Sequence, residues 1–383
     1  MIPYARHAVD EVDVSRVVEV LRSDFLTQGP VVPQFERAVA ERCGASYAVA
    51  TTNATSALHL ACAALGVSRV DVVWTSPNSF VASANCARYC GADVDFVDID
   101  RRTYNLSPEK LEEKLQRAVR IGRVPKAVIA VDFAGQPCDW EALALLKQRY
   151  GFALIEDASH AIGATYRGDA VGSGRYADIT VFSFHPVKIV TTAEGGIALT
   201  NDEYLASRMA LLRSHGVTRD ASVMFSEEPE PWEYEQLSLG FNYRMTELQA
   251  ALGLSQLQRL DEFIIRRRAI AERYDRELAD LPLRLPYQHP DCRSAYHLYP
   301  VCVEAPADRR AVYDALASRG IRPNVHYIPI HTQPYYRGLG FSRGDFPDAE
   351  AYYAAALSLP MYATLSDDDQ TAVISALHDI LGD

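Results

Sequence analysis

Between residues 45 and 200, short apolar runs alternate with segments of helical period, the pattern of a mainly parallel sheet covered by helices. Residues 127–133 (Ala127 to Phe133) read as a buried strand, and residues 139–150 as an amphipathic helix ended by Gly151. Residues 152–157 read as the next strand, which puts Asp157 at a strand's carboxyl end, the edge where open α/β sheets bind ligands. Residues 178–184 and 196–200 predict two more strands, joined by a connection carrying His185, Lys188, Glu194 and Gly195. From 246 to 279 the apolar positions Leu248, Ala251, Leu252, Leu254, Leu257, Leu260 and Phe263 predict one long helical stretch. The Pro-rich stretch 282–300 then marks a change of domain. The expected organisation is α/β, with a large domain over 1–260 and a smaller C-terminal α/β domain over 261–383. Segment 216–240, rich in Glu, Pro and aromatics, reads as a long surface loop of the functional or interfacial kind.

Composition narrows the function classes. A chain of 383 residues with 48% hydrophobic and 23% charged residues can bury a large core, which excludes a disordered or fibrous protein. The net charge of −12 is spread without a Lys/Arg block, so neither nucleic acid nor an anionic membrane is an expected partner. Any phosphate must therefore be held locally. Met1 to His7 lacks an apolar signal core and no apolar run approaches the ~20 residues of a spanning helix, so the cytoplasm is the expected location. Seven scattered cysteines without a C-x-x-C pair argue against a disulfide framework or a zinc ribbon. Cys86 and Cys90 can share a helix face, but no nearby His or Cys completes a tetrahedral set. His326 and His331 likewise lack a third ligand in their segment, and no metal is expected.

The most informative stretch is Ser183-Phe-His-Pro-Val-Lys188, followed by Thr191-Thr-Ala-Glu-Gly-Gly196. A lysine between two strands and beside Pro186 is poorly placed for solvation; if its amine is partly buried, its charged form is disfavoured and it can attack an aldehyde. That is what attachment of pyridoxal phosphate requires, although a surface lysine on a loop fits the same residues. Asp157, in Glu156-Asp-Ala-Ser-His160, supplies the partner that keeps the cofactor's ring nitrogen protonated; a helix N-cap is the alternative. His160, one turn further on, is expected near the cofactor's phenolic oxygen. Thr51 to Leu60 places small hydroxyl residues where a loop enters an Ala/Leu-rich helix, a seat for an anion that a plain capping motif would imitate. Ser183 is a second hydroxyl for that phosphate, and Phe80 offers a face to the pyridine ring unless it is only core packing.

Taken together, Asn53-Ala-Thr-Ser56, Glu156-Asp-Ala-Ser-His160, Phe182-Ser-Phe-His-Pro-Val-Lys188 and Gly240-Phe-Asn-Tyr-Arg-Met-Thr-Glu247 resemble the DegT-type nucleotide-sugar aminotransferases along essentially the whole chain. The resemblance implies the type I, aspartate-aminotransferase fold of pyridoxal 5'-phosphate enzymes, with Lys188 as catalytic amine. It implies cofactor contacts from Ala54, Thr55, Ser56, Phe80, Asp157, His160, Ser183, Lys188 and Asn242, the last reaching across an obligate homodimer interface to the partner's cofactor phosphate. Ile2-Pro-Tyr4, Leu26-Thr-Gln-Gly29, Thr75-Ser-Pro-Asn-Ser-Phe80 and Asn324-Val-His-Tyr-Ile-Pro329 are most similar to the family's transaminases of pseudaminic acid biosynthesis. That similarity implies a sugar site lined by Tyr4, Phe25, Leu26, Thr27, Asn324, His326 and Tyr327, with L-glutamate as amino donor and a UDP-linked 4-keto sugar as acceptor. Relatives that use dTDP- or GDP-linked ketosugars share the cofactor positions. A sugar dehydratase of this fold carries histidine in place of the anchoring lysine, and a non-catalytic regulator would be expected to lose Lys188 or Asp157; both are present. No G-x-G-x-x-G follows the first strand pattern, which disfavours a Rossmann dehydrogenase.

Overall fold

Seven strands form the central sheet: β1 (Tyr47–Thr51), β2 (Val72–Thr75), β3 (Asp93–Phe96), β4 (Ala127–Val131), β5 (Ala153–Asp157), β6 (Ile179–Ser183) and β7 (Gly196–Thr200). Their order is β1-β7-β6-β5-β4-β2-β3, and β7 runs antiparallel to both of its neighbours while β6 through β3 pair in parallel. The computed structural model describes residues 1–226, 228–305 and 307–382.

Side-chain alternation assigns the two faces of this sheet. Phe182, Leu199 and Ile197 pack on the side of the helix Val31–Cys43, where Phe35 meets Phe184 edge to face at 5.2 Å. Val128 and Leu154 continue that face beneath the helix Trp140–Tyr150, which is capped by Asp139 and closed by Gly151 in the left-handed conformation. Ile129, Ile155, Val181 and Ala198 point the other way, into the core shared with the helix Ala54–Ala64 and the helix Ala82–Tyr89. Asp157 and Ser183 have the parity of Ile155 and Val181, so both emerge on this second face at the carboxyl ends of their strands.

The long helical stretch expected over 246–279 is two helices, Glu247–Gln258 and Leu260–Glu277, broken at Arg259 (φ −100°, ψ 6°). The ladder is interrupted where the Arg259 guanidinium is drawn to the Ala8 carbonyl at 2.8 Å and to the buried Asp13 carboxylate at 2.6 Å. An unpaired charge at Asp13 would be costly, and a partner so distant in sequence is invisible to local periodicity. The helix Leu260–Glu277 serves two cores. Leu260, Phe263 and Ile264 pack against the large sheet, while Ile270, Ala271 and Tyr274 pack against a three-stranded antiparallel sheet of Leu283–Arg284, Tyr299–Val303 and Ala356–Leu359. The helices Arg309–Ser318 and Asp367–Leu381 cover that smaller sheet.

The strand Ile2–Pro3 pairs in parallel with Ile321–Arg322, and Met361 N donates to the Tyr4 carbonyl at 2.9 Å. Segment 216–240 contributes only the short ribbon of Val217–Thr218 with Glu235–Gln236; Phe225, Trp232 and Leu239 are largely exposed around it. No helix among the described residues is long and apolar enough to cross a membrane.

Candidate active site

Over the carboxyl ends of β5 and β6 lies a pocket of about 640 Å³, walled by Asp157, Ser183, Lys188, the start of the helix Ala54–Ala64 and the segment 324–327. Asn53 caps that helix: its Oδ1 accepts from Ser56 N at 2.9 Å and from Ser56 Oγ at 3.0 Å. Ser56 is thereby turned into the cap, and Ala54 and Thr55 present the helix start to the pocket. Close approach of β7 makes this possible, since a Cβ on Gly196 would lie 2.4 Å from Ala54 N. The converging N–H groups and the helix dipole favour an anion there.

Asp157 is held from both sides. Ser83 Oγ donates to Oδ2 at 2.6 Å, and Ser159 donates to Oδ1 through Oγ at 2.6 Å and N at 3.2 Å. No helix follows Asp157, so the N-cap alternative does not apply. Ser79 supports the arrangement through a 2.7 Å contact between its Oγ and that of Ser83. Lys188 stands in the connection between β6 and β7, which is closed by Phe184 N to Gly195 O and Thr192 N to Phe184 O, both 2.9 Å. Lys188 is half-buried and lines the pocket, and burial pushes its pKa down to about 8 although Asp157 pulls the other way. An amine so shifted is neutral over a useful part of the physiological range.

Three histidines surround that amine, and burial holds each of them neutral. His160 accepts from Ala134 N at Nδ1 (3.2 Å) and meets Tyr327 Oη at Nε2 (3.1 Å); its pKa lies well below the usual value, with Lys188 adding to the effect of burial. The His297 ring lies 4.4 Å from that of His160, tilted by 44°, and its pKa is depressed in the same way. His326, depressed to about 3, has Nδ1 at 2.8 Å from Ser358 Oγ and its ring 5.2 Å from that of Tyr4. Phe80 lies at the mouth with its ring exposed, 6.4 Å from that of Tyr327, as a stacking face requires. Asn324 completes the wall beside Tyr4.

Within one chain the pocket thus gathers Tyr4, Ala54, Thr55, Phe80, Asp157, His160, Ser183, Lys188, Asn324, His326 and Tyr327. It does not gather Phe25, Leu26, Thr27 or Asn242. Phe25 and Leu26 are about half exposed, and Leu26 and Thr27 pair with the start of the helix Glu247–Gln258. Asn242 is exposed and bridges to Ser214. Sequence reasoning missed Ser79, Ser83, Ser159, His297 and Ser358. The four-residue spacing of Ser79 and Ser83 at a helix entry was a usable signal; nothing in the Pro-rich stretch singles out His297. His331 points elsewhere, with Nε2 2.9 Å from Glu350.

The residues present fit a pyridine cofactor with a phosphate: an anion seat, an aromatic face, a carboxylate and an enclosed amine share one cavity. The model of the DegT/DnrJ/EryC1/StrS aminotransferase family matches residues 7–378. The chain belongs to the DegT/DnrJ/EryC1/StrS aminotransferase family. As a member it is an aminotransferase, and the expected type I fold holds: Helicobacter pylori PseC, an aminotransferase involved in the biosynthesis of pseudoaminic acid, superposes with a TM-score of 0.90 at 33% identity, covering 100% of this chain and 99% of that one. Spr1654 of Streptococcus pneumoniae, a putative sugar aminotransferase, superposes in its PLP form with a TM-score of 0.89 at 29% identity, over 99% and 98% of the two chains. In sequence, this DegT-family chain is 40% identical to the spore coat polysaccharide biosynthesis protein SpsC of Bacillus subtilis, over 99% of this chain and 97% of that protein. It is 36% identical to the UDP-4-amino-4,6-dideoxy-N-acetyl-beta-L-altrosamine transaminase of Campylobacter jejuni, over 100% and 98%.

Proposed function

We propose that this chain moves an amino group from L-glutamate to C4 of a UDP-linked 4-keto-6-deoxy sugar, the reaction of the altrosamine transaminases, with pyridoxal phosphate bound at Lys188. The observation that carries this is a neutralisable, enclosed amine facing a fixed carboxylate in one pocket. When bound, the cofactor supplies an aldehyde that condenses with amines and a ring that takes up the electrons left by a removed proton. Lys188 would anchor it and, once freed, would serve as general base and acid for the proton at the substrate's α carbon. Asp157, oriented by Ser83 and Ser159, keeps a proton at the ring nitrogen. Ala54, Thr55, Ser183 and the helix N-terminus hold the phosphate, and Phe80 stacks on the ring. Ser56 acts from behind, as part of the cap.

The small C-terminal domain, 261–383, brings Asn324, His326 and Tyr327 to face Tyr4 across the sugar site. Phe25, Leu26, Thr27 and Asn242 act in a homodimer, where Asn242 of each chain reaches the other's phosphate seat. The exposed Phe225, Trp232 and Leu239 are consistent with such an interface. The enzyme acts in the cytoplasm on a soluble nucleotide-linked substrate.

The test is the absorbance of the purified holoenzyme before and after L-glutamate, with Lys188→Ala alongside, followed by a panel of UDP-, dTDP- and GDP-linked ketosugars. Conversion to the pyridoxamine form in wild type, absent in the variant, and preferential amination of a UDP-linked acceptor are expected. A glutamate-insensitive spectrum would overturn amino transfer; preference for dTDP or GDP would overturn the nucleotide assignment alone.

A further inference from the structure

The turn Phe133–Gly135 beside the pocket holds Ala134 in a backbone conformation that it resists. Ala134 sits at φ 60°, in the left-handed region that non-glycine residues avoid. Gly135 sits at φ 100°, where a Cβ would lie 2.9 Å from the His160 carbonyl oxygen. The turn is pinned from outside: Phe133 N donates to Asn105 Oδ1 at 2.9 Å, and Ala295 N and Leu298 N donate to the carbonyls of Gly135 and Ala134. In this position Ala134 N–H is aimed at His160 Nδ1, 3.2 Å away.

A backbone N–H can only donate, so Nδ1 carries a lone pair and the single proton of the neutral ring is on Nε2. Nε2 faces Tyr327 Oη at 3.1 Å, which makes His160 the donor and Tyr327 the acceptor. The hydroxyl proton of Tyr327 is then left over. Among the described residues Tyr327 Oη makes no other hydrogen bond, and Tyr327 lines the same pocket as Lys188. Its ring stands with those of His326 (4.9 Å) and Phe80 (6.4 Å) in the pocket wall.

We propose that Tyr327, aimed by His160, donates its hydroxyl hydrogen bond to the carbonyl oxygen of the bound keto sugar. This rests on the amino-transfer assignment above. The carbonyl oxygen gains negative charge as nitrogen adds to its carbon, and a donor already oriented in a water-poor wall stabilises that charge without reorganising. Burial raises the pKa of Tyr327, so it keeps its proton throughout. His160 is a positioning residue whose ring proton is donated to Tyr327.

The experiment separates the two half-reactions of the holoenzyme by stopped-flow absorbance. Tyr327→Phe is expected to slow amino transfer to a UDP-linked 4-keto-6-deoxy sugar by about 10²-fold, the typical effect of losing one such donor. The glutamate half-reaction should slow at least tenfold less. His160→Leu should reproduce this asymmetry, and His160→Gln, which keeps an N–H donor and an oxygen acceptor, should restore most of the sugar rate. Equal slowing of both halves, or no slowing, overturns the proposal. So does a shift in the pH titration of the sugar-free holoenzyme spectrum on Tyr327→Phe, which would place the bond on the cofactor's phenolic oxygen. A wild-type enzyme that fails the glutamate half-reaction removes the amino-transfer assignment and this substrate contact together.

Discussion

A groove of about 1050 Å³ runs along the edge strand β3, between the helix Pro108–Arg120 and residues 339–348, whereas the pocket holding Lys188 and Asp157 measures about 640 Å³. The larger cavity carries more charge, but that charge is mostly paired. Lys110 and Arg101 both meet Asp348, Lys114 meets Asp95 at 2.7 Å, and Arg88 and Arg123 meet Asp93. Asp98 accepts from Asp348 N and Ala349 N at 3.0 Å each, capping the helix Pro347–Ala355 from the large sheet's edge. In the smaller cavity the amine of Lys188 has no salt bridge among the described residues, and three histidines are kept neutral around it. The groove's ion pairs join chain segments; the pocket's amine is left to meet a ligand. An amine without an ion pair distinguishes the two, and volume does not.

The largest effect expected from breaking this contrast is at Lys188. Lys188→Ala should lower turnover with glutamate and keto sugar by at least about 10³-fold, because anchor and acid/base are lost together. Asp157→Asn should cost about 10²-fold in steady-state turnover, since an amide cannot balance a protonated ring nitrogen in this enclosed site. The apoenzyme should capture added pyridoxal phosphate faster as pH rises, with a midpoint near 8, because the neutral amine is the attacking form. Below that midpoint the rate should fall about tenfold per pH unit, measured by the growth of cofactor absorbance.

In the groove the expected currency is stability. Burial works against the Asp348 carboxylate, but Lys110 and Arg101 outweigh it and hold its pKa below the ordinary value. Its contribution is therefore present above the ordinary carboxylate pKa of about 4 and lost as pH falls through the lower folded value. Asp348→Asn should cost about 1–2 kcal/mol by denaturant unfolding near neutral pH, with kcat within about twofold of wild type. Arg123→Ala, breaking an exposed pair, should change stability by less than about 0.5 kcal/mol in the same measurement. A large loss of turnover from either groove variant would mean that the groove communicates with the pocket.

Local pattern revealed the parts whose causes are local. The fully buried strand β4 appears as an unbroken apolar run, and Asp139 and Gly151 bracket the helix that follows it by capping chemistry that short sequence windows contain. Asp157 and Lys188 were legible because strand ends and a strand connection place them at the ligand edge whatever the rest of the chain does. Arg259 was not, because its break depends on Asp10 and Asp13. Ser358 was not, because its partner His326 arrives from another strand connection. The side-chain direction at His160 was hidden for the same reason: a backbone N–H from the turn at Ala134 decides which ring nitrogen carries the proton.

The pairing of Ile2–Pro3 with Ile321–Arg322 bears on how the enzyme is made. A ribosome releases the first strand long before its partner exists, at roughly 5–20 residues per second. Tyr4, which belongs to the pocket and whose carbonyl waits for Met361 N, has no fixed place during that interval. The large sheet can assemble while the chain is still growing, but the side of the pocket formed by Tyr4, Asn324, His326 and Tyr327 cannot close until translation is nearly over. A nascent chain arrested short of residue 321 would contain Lys188 and Asp157 and still lack the pocket wall of Asn324, His326 and Tyr327.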